Sequence, residues 1–400
     1  AKVLRAYSYY ELYTKFGDIP YTTKVLSIKE SMSIARTAKA TVIANVLADL
    51  DEVINGNYLP TSYDADNKGR ITRWAAMAIK AKIYLFEGNW TQVKNITSTI
   101  MTEGGFKLFG SYAGLFEIAN EYNSEVILDA QYRPTSREHQ MMYVFLPPTL
   151  GGYSQLSPLQ ELVDSYIMLD GKTIKETGTS FDESHPYANR DPRLKATVMY
   201  TGNSYTLADG TEVVINCEKG EGKDGYGVGS DCSATGYYIK KYWDNTYRAT
   251  LYSGLNPILI RYADILLMNA EALAELGELD KTAWDATIKP IRDRAGFTLA
   301  SALEFPERAS KDKLIEIVRN ERRSELALEG HRHKDIIRWR IADNVLNGWC
   351  HGLKTNDVVG TDDGYVRVEN RTFNANKHYL WPIPQAERDL NGNLEQNPNW

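Results

Sequence analysis

Two stretches decide the fold of this chain: RWAAMAIKAKIYLFEGNW at residues 73–90 and YADILLMNAEALAELGEL at residues 262–279. When the two are aligned, Ala81 matches Ala270, and a glycine follows each alanine after about two helical turns. A further apolar helical pattern comes after each glycine. A seam of small residues, a glycine turn and a returning helix is typical of a tetratricopeptide-type hairpin. The alternative is two unrelated alanine-rich helices, because alanine seams are common.

Working outward from these stretches, the residue pattern divides the chain into three zones. Residues 1–129 carry mostly helical periodicity. Residues 130–258 are rich in Gly, Pro, Tyr, Asp and Asn and contain only short β-prone runs. Residues 259–400 return to helix, with one helical pattern over 311–340, and end in an extended tail. The fold class is therefore mainly α, a hairpin scaffold with a loop-rich, partly β insertion, and so long an irregular segment usually carries function.

Composition and charge exclude several functions. The 46 basic and 52 acidic residues give a net charge of −6, which argues against a dedicated nucleic-acid binder. The chain uses 26 Tyr but only 10 Phe. Tyrosine has an apolar face and a polar tip. This preference indicates that many rings lie near a surface or an interface, although simple core filling is an equally good explanation.

Signatures of catalysis are missing from the sequence. Residues 220–225 match GxGxxG, but a glycine-rich turn follows where a dinucleotide site needs a helix. The sequence contains no HExxH and no GxSxG. We therefore predict a protein that is not an enzyme and that has no cofactor and no metal site. A glycoside hydrolase stays an alternative, because 52 acidic residues offer many carboxylate pairs.

The block ERRSELALEGHRHKDIIRW at residues 321–339 mixes charges with apolar residues on a helical pattern. Buried charges are tolerated when they are paired and hydrogen-bonded. We therefore expect a structural role, internal and ion-paired, for part of the set Glu321, Arg322, Glu325, Glu329 and Arg332.

The three cysteines are Cys217, Cys232 and Cys350, and none forms a CxxC motif. Cys217 and Cys232 flank a glycine-rich loop. They would pair as a disulfide in an oxidising compartment, and the sequence leaves both states open.

Six blocks of the chain resemble, in this order, the SusD/RagB family, and together they span nearly the whole sequence. The blocks are RAYSYYELYTKFGDIP (5–20), GRITRWAAMAIKAKIYLFEGNW (69–90), IRYADILLMNAEALAELG (260–277), IRDRAG (291–296), the 321–339 block and HYLWPIPQAERDLNGNLEQNPNW (378–400). The resemblance implies that residues 1–400 form a single SusD-like unit on a tetratricopeptide-like scaffold.

The resemblance also implies a function. SusD-like proteins are non-catalytic lipoproteins on the outer face of the outer membrane, where they bind glycans and deliver them to a SusC-like TonB-dependent transporter. It implies a lipid anchor N-terminal to residue 1. The alternatives are capture of another nutrient, such as peptide, and a tetratricopeptide-type adaptor that binds protein.

For the ligand site we predict loop aromatics with polar neighbours, because sugars bind on flat aromatic faces while polar groups hydrogen-bond their hydroxyls. Trp243 lies in KKYWDNTYR, just before the block at 260. A structural plug at the base of the insertion is the alternative role for its ring. The first candidates are Trp243, Tyr247, Asp244, Asn245 and Arg248, and the second are Tyr63, Asp64 and Tyr153.

Overall fold

The structure, a computed structural model, describes residues 1–247 and 250–400, with the backbone alone for Tyr247. In chain order its helices and strands are α1 Lys2–Phe16, α2 Ile28–Ser31, α3 Lys39–Asn55, α4 Arg73–Phe86, α5 Trp90–Glu103, β1 Val126–Asp129, α6 Met141–Phe145, α7 Gln160–Ser165, α8 Pro192–Thr197, β2 Val198–Met199, β3 Ser204–Thr206, β4 Glu212–Val214, β5 Tyr238–Ile239, β6 Ile258–Arg261, α9 Tyr262–Leu276, α10 Lys281–Ala295, α11 Ala300–Leu303, α12 Lys311–Glu325, α13 Arg332–Arg338, α14 Ala342–Val345, β7 Gly348–Lys354, β8 Thr361–Asp362, β9 Tyr365–Arg371 and α15 Gln385–Leu390.

The chain folds into two compact units. The first comprises residues 1–104, 331–347 and 372–400. The second comprises residues 105–330 and 348–371. No described helix is both long and apolar enough to cross a bilayer.

The first unit contains the hairpin predicted at residues 73–90. Helix α4 begins where the Thr72 hydroxyl accepts a hydrogen bond from Ala75 N at 3.2 Å, and it packs against α1, α3, α5 and α13. Ala81 has no exposed surface. Gly88 turns the chain at φ 70°, a conformation that glycine adopts without strain, and Asn89 then caps α5. The small-residue seam is therefore a helix–helix contact, as predicted.

The second unit contains the matching hairpin, α9 and α10. Ala270 is fully buried where α9 packs against α10 and α12. Gly277 ends α9 in the left-handed region at φ 74°, and the Asp280 carboxylate caps α10 by accepting from Ala283 N at 2.8 Å. This copy of the hairpin is also confirmed.

The β structure of the second unit is limited to small antiparallel sheets. β1 pairs with β6, β2 with β5 and β3 with β4, while β7, β9 and β8 form a three-stranded sheet in that order. A hydrophobic cluster of buried side chains lies among α6, α7 and β2–β5, and Tyr205, Tyr237 and Tyr238 are buried within it. Part of the tyrosine excess therefore fills the core.

A network of buried ion pairs joins α8, α10 and α12 to Arg261 at the end of β6 and to Glu125 just before β1. Glu325 lies at its centre, where the carboxylate oxygens accept from Arg193 at 2.9 Å, from Arg261 at 2.6 Å and also from Arg294. Burial alone raises the pKa of the Glu325 carboxyl, but the guanidinium groups outweigh it and hold that pKa well below its ordinary value. Five carboxylates face five cations in this network: Glu125, Asp191, Glu321, Glu325 and Glu329 against Arg193, Lys241, Arg261, Arg292 and Arg294.

The prediction of internal charges in the 321–339 block is confirmed, but the prediction of one helix over 311–340 is wrong. α12 ends at Glu325, and the chain leaves helical geometry because Leu328 and Gly330 have φ values of 64° and 79°. Helix then resumes at α13. Glu321, Arg322, Glu325 and Glu329 have buried side chains, whereas Arg332 is half-buried.

His351 fastens the β7–β9 sheet to α7. Its Nδ1 lies 2.8 Å from Glu161 Oε1, and its Nε2 lies 3.0 Å from Asp362 Oδ2. Partial burial lowers the pKa of His351, but the hydrogen bonds to Asp362 and Glu161 outweigh it and raise the pKa above its ordinary value. The imidazole therefore lies between two carboxylates, which favour its protonated form.

All three cysteines are free thiols in the structure. Cys217 is buried, and burial raises the pKa of its thiol. Cys232 is half-exposed and donates to Lys223 O at 3.3 Å. The Cys217–Cys232 disulfide that the sequence left open is not formed here.

Candidate ligand-binding site

Trp243 is anchored on one side and open on the other. Its indole N–H donates to Thr206 O at 3.0 Å, and its ring meets the buried Tyr205 ring edge-on at 5.1 Å. The side chain is half-buried against the hydrophobic cluster. The contacts of Trp243 are those of a residue that packs at the base of the insertion, and its half-buried ring leaves ligand contact as a prediction.

The polar residues next to Trp243 differ in their burial and in the hydrogen bonds that they already make. The Asp244 side chain is buried, and its two oxygens accept from the backbone amides of Ile118 at 2.9 Å and Thr246 at 2.9 Å. These two hydrogen bonds indicate that Asp244 stabilises the conformation of its loop. Asn245 is half-buried and begins a 3₁₀ turn. Arg248 and the side chain of Tyr247 lie outside the described residues.

Trp243, Asp244 and Asn245 together line a cleft of about 330 Å³ in the second unit. Three further charged side chains share this lining, namely Glu117, Lys240 and Lys241. Burial, with the charge of Lys195 added, lowers the pKa of Lys240 to about 8. Burial, with the charge of Asp244 added, raises the pKa of Glu117. The cleft therefore offers the half-buried rings of Tyr242 and Trp243 together with a partly desolvated acid and base.

Tyr153 lies on a different surface, where it forms an aromatic pair with Tyr143. Their ring centroids are 4.4 Å apart and the planes are inclined by 32°. The pairing is fixed by the backbone, because Tyr153 N donates to Tyr143 O at 2.9 Å. Gly152 makes this close approach feasible, since a Cβ there would lie 2.1 Å from Leu146 O. Tyr153 remains 39% exposed, so the pair presents aromatic surface to solvent.

A third ring extends this surface. Tyr252 is 43% exposed, and its hydroxyl accepts from Gln140 Nε2 at 2.5 Å. His139 and Ser253 pair their backbones immediately beside these two residues. We call Gln140, Tyr143, Tyr153 and Tyr252 the tyrosine surface. It combines exposed rings with hydroxyl and amide groups, which is the chemistry that a neutral sugar needs.

Sequence reasoning found Tyr153 but missed Tyr143, Gln140 and Tyr252. Tyr153 stands out because it follows a Gly-Gly turn. Tyr143 lies in the short helix α6, and Tyr252 is more than 100 positions from Gln140, so only the folded chain brings them together.

Tyr63 and Asp64 belong to the first unit. The Tyr63 hydroxyl donates to Ile71 O at 3.3 Å, and Asp64 caps a 3₁₀ turn by accepting from Asn67 N at 3.0 Å. Both side chains thus stabilise their own loop. Among residues 1–247 and 250–400, no group of three His, Cys, Asp or Glu side chains is arranged to hold a metal ion.

Comparison with known proteins identifies the relatives of this chain. The sequence model described as the SusD family matches residues 115–400. The chain belongs to the SusD family. A second family model, described as starch-binding and associating with the outer membrane, matches residues 1–85 of this SusD-family chain. The resemblance read from the six blocks is therefore confirmed, and the family descriptions connect it with carbohydrate binding and the outer membrane.

Individual relatives agree with this assignment. A SusD-like protein of Formosa agariphila is 28% identical over 370 residues, which cover 86% of this chain and 64% of the relative. This SusD-family chain thus spans less than two thirds of that relative's length. A second SusD-like protein of the same organism is 26% identical, with 98% of this chain and 72% of the relative covered.

Solved structures of relatives show the same fold. The crystal structure of a SusD-like carbohydrate-binding protein from Bacteroides fragilis superposes with a TM-score of 0.87 at 29% identity, covering 98% of this chain and 78% of that one. A laminarin-binding SusD-like protein superposes with a TM-score of 0.66 at 23% identity, covering 100% and 77% of the respective chains, and it shows likeness of fold alone. The predicted mainly α, tetratricopeptide-like fold is confirmed.

Proposed function

We propose that this protein binds oligosaccharides or polysaccharides at the cell surface without cleaving them and delivers them to a SusC-like TonB-dependent transporter. The insertion at residues 130–258 presents the ligand, and a lipid anchor N-terminal to this chain holds it on the outer membrane. Membership of the SusD family supports the proposal at the level of the whole chain.

The observation that carries the proposal is the exposed tyrosine surface. Tyr143 and Tyr153 present paired rings, and Tyr252 with Gln140 adds hydrogen-bonding groups at the same place. A stacked aromatic contact is worth about 0.5–1.5 kcal/mol. A few such contacts give affinities of roughly millimolar to micromolar Kd, which permits release into a transporter after capture.

Trp243 and its cleft form the second candidate position within the same function. The ring is half-open, and the cleft of about 330 Å³ is at the lower end of the range for small-ligand sites. Because Asp244 already accepts from two backbone amides, Asn245 is the better hydroxyl partner in this cleft.

Affinity electrophoresis against a panel of neutral polysaccharides tests the proposal. We expect Tyr153→Ala to weaken glycan retention by a factor of roughly 2–13, as one lost stacked contact predicts. Tyr122→Ala is the matched control, because Tyr122 is 40% exposed and is not among the four residues of the tyrosine surface. Trp243→Ala, with its melting temperature recorded, decides between the two positions.

Each part of the proposal, namely glycan capture, the non-catalytic role and delivery, has a result that would overturn it. Retention of no glycan by the wild-type protein contradicts glycan capture and favours another nutrient. Release of sugar from the panel contradicts a non-catalytic role. Failure to co-purify with a co-expressed SusC-like transporter contradicts delivery to such a partner.

A further inference from the structure

A second and larger cleft lies in the same unit, apart from the tyrosine surface and from Trp243. Its volume is about 880 Å³. Helix α7, residues 181–190, residues 217–221 and the chain after β7 border it. None of the four residues of the tyrosine surface lines it. A concave site of this size is in the range of small-ligand pockets, whose volumes run from about 300 to 1,000 Å³.

Aromatic rings form one wall of this cleft. Tyr187 and Tyr200 stack with centroids 4.0 Å apart and planes inclined by only 17°. Phe181 and Tyr365 line the same space, and all four side chains are half-buried. Half-buried, stacked rings in a concave wall give an extended apolar face with hydroxyl groups at its edge.

Hydrogen bonds hold this wall in position before any ligand arrives. The Tyr187 hydroxyl lies 3.2 Å from that of Tyr237, which donates to Gln160 Oε1 at 2.5 Å, and Gln160 Nε2 donates to Asp164 at 2.7 Å. The buried Arg190 donates to the carbonyls of Val163, Tyr166 and Pro186. A wall that is already rigid reduces the entropy that the protein side chains lose when a ligand binds.

Arg190 also fixes the wall from behind. Its guanidinium links α7 to the segment that carries Tyr187, since Val163 lies in that helix and Pro186 is next to the tyrosine. The cation lies over the Phe181 ring at 5.5 Å. Arg190 therefore supports the wall both through its hydrogen bonds to backbone carbonyls and through its contact with the Phe181 ring.

The charge around the cleft selects against anions. Lys219 pairs with Asp357, and Lys354 lies 3.1 Å from Glu183, so both lysines are engaged by carboxylates. The charged lining side chains are five carboxylates and three cations, a net charge of −2 when His185 is neutral. A uronate or a sulfated sugar would be repelled, whereas a neutral sugar would not. The five carboxylates are Asp164, Glu183, Glu218, Glu221 and Asp357.

We infer that this cleft is a second saccharide site, which takes a short neutral oligosaccharide on the Tyr187–Tyr200 wall. The inference rests on the proposed function, because it assumes that the protein binds glycans. With a second site the protein can bind one polysaccharide at two points, which raises the overall affinity without any stronger individual contact.

Equilibrium dialysis with labelled maltohexaose, laminarihexaose, cellohexaose and mannohexaose tests the inference, with an oligogalacturonate of equal length as the anionic probe. Ala188→Trp fills the cleft from an exposed lining position and leaves the core intact. Ala208→Trp, at an exposed position that does not line this cleft, is the matched control. Tyr200→Ala removes the wall itself, and its melting temperature is recorded in parallel.

We expect two binding events in the wild type, one weakened roughly 2–13-fold by Tyr153→Ala and one unchanged by it. Ala188→Trp should weaken the event that Tyr153→Ala leaves unchanged by about tenfold or more and should not affect the other. A single event, weakened by Tyr153→Ala and unaffected by Ala188→Trp, overturns the second site while the proposed function stands. Binding of no neutral probe by any variant overturns both, and binding of only the oligogalacturonate at the cleft overturns the neutral class.

Discussion

Replacing Glu325 by glutamine tests how the second unit is held together. The Glu325 side chain has no exposed surface, and its carboxylate oxygens face Arg193, Arg261 and Arg294. Both oxygens face guanidinium donors, so an amide in either orientation points its own N–H group at an arginine. The variant Glu325→Gln therefore loses the charge and also introduces a donor–donor contact.

The size of the destabilisation follows from the arginine charges that the substitution leaves without a carboxylate. Removing one partner of a buried ion pair costs about 3–5 kcal/mol, because the other charge is left uncompensated. The second unit comprises residues 105–330 and 348–371. For a unit of that size, this loss lowers the melting temperature by roughly 6–20 °C.

Differential scanning calorimetry provides the measurement, and Glu316→Gln provides the control on the same helix. The Glu316 side chain is 62% exposed and pairs with Lys313 at 3.1 Å, so its loss should change stability by about 0.5 kcal/mol or less. Adding Arg294→Met to Glu325→Gln restores the balance of charges and should cost less than the sum of the two single variants. Equal melting temperatures for Glu325→Gln and Glu316→Gln would refute this reasoning.

Three further predictions concern packing, pH and thiol reactivity. Ala270→Leu should lower the free energy of unfolding by about 1–3 kcal/mol in urea denaturation, because the fully buried α9 contact has no room for the larger side chain; an unchanged midpoint would show that the helices move apart at no cost. The pKa of His351 is raised in the folded state, so its protonated imidazole stabilises the fold. This stabilisation is complete below the pKa of the unfolded chain, about 6.5, and is lost as the pH rises through the pKa of the folded state. His351→Gln should accordingly destabilise the protein more at about pH 5 than at about pH 9, whereas a pH-independent difference would contradict the pairing of His351 with Glu161 and Asp362. Under native conditions iodoacetamide should label Cys232 quickly and the buried Cys217 only after unfolding, and a mass 2 Da lower in non-reduced peptides would instead reveal a disulfide.

The helical scaffold was predictable because its signals are local. The alanine seam of 73–90, the glycine that follows it and the echo at 262–279 are each readable within a few turns of helix. Two features of this region were predicted wrongly. The zone 259–400 was expected to be helical with an extended tail, but it contains the sheet of β7, β8 and β9. The continuous helix over 311–340 is interrupted because a local pattern does not record a left-handed residue. Leucine at position 328 carries no sequence signal for a left-handed conformation, although the structure places it there.

The candidate sites were far less predictable, because they depend on contacts between distant residues. Tyr153 pairs with Tyr143 through backbone and ring geometry, and Tyr187, which precedes α8, stacks on Tyr200, which follows β2. No periodic pattern records such pairs. The sequence could show that tyrosine is abundant, but it could not show which rings fill the core, as Tyr205 does, and which border a cleft.

The buried ion network also bears on how fast the second unit folds. Arg261 pairs with Glu125 across 136 positions of sequence, and Arg193 pairs with Glu325 across 132. Neither partner can be shielded from water before the intervening chain has closed its loops, and contacts of such long range are associated with slow folding. Until these pairs form together, an unpaired charge in a dry interior is costly, so partly assembled states are disfavoured. The second unit should therefore fold slowly and cooperatively, and a chain arrested before residue 325 would leave the cations at 193 and 261 without their shared carboxylate.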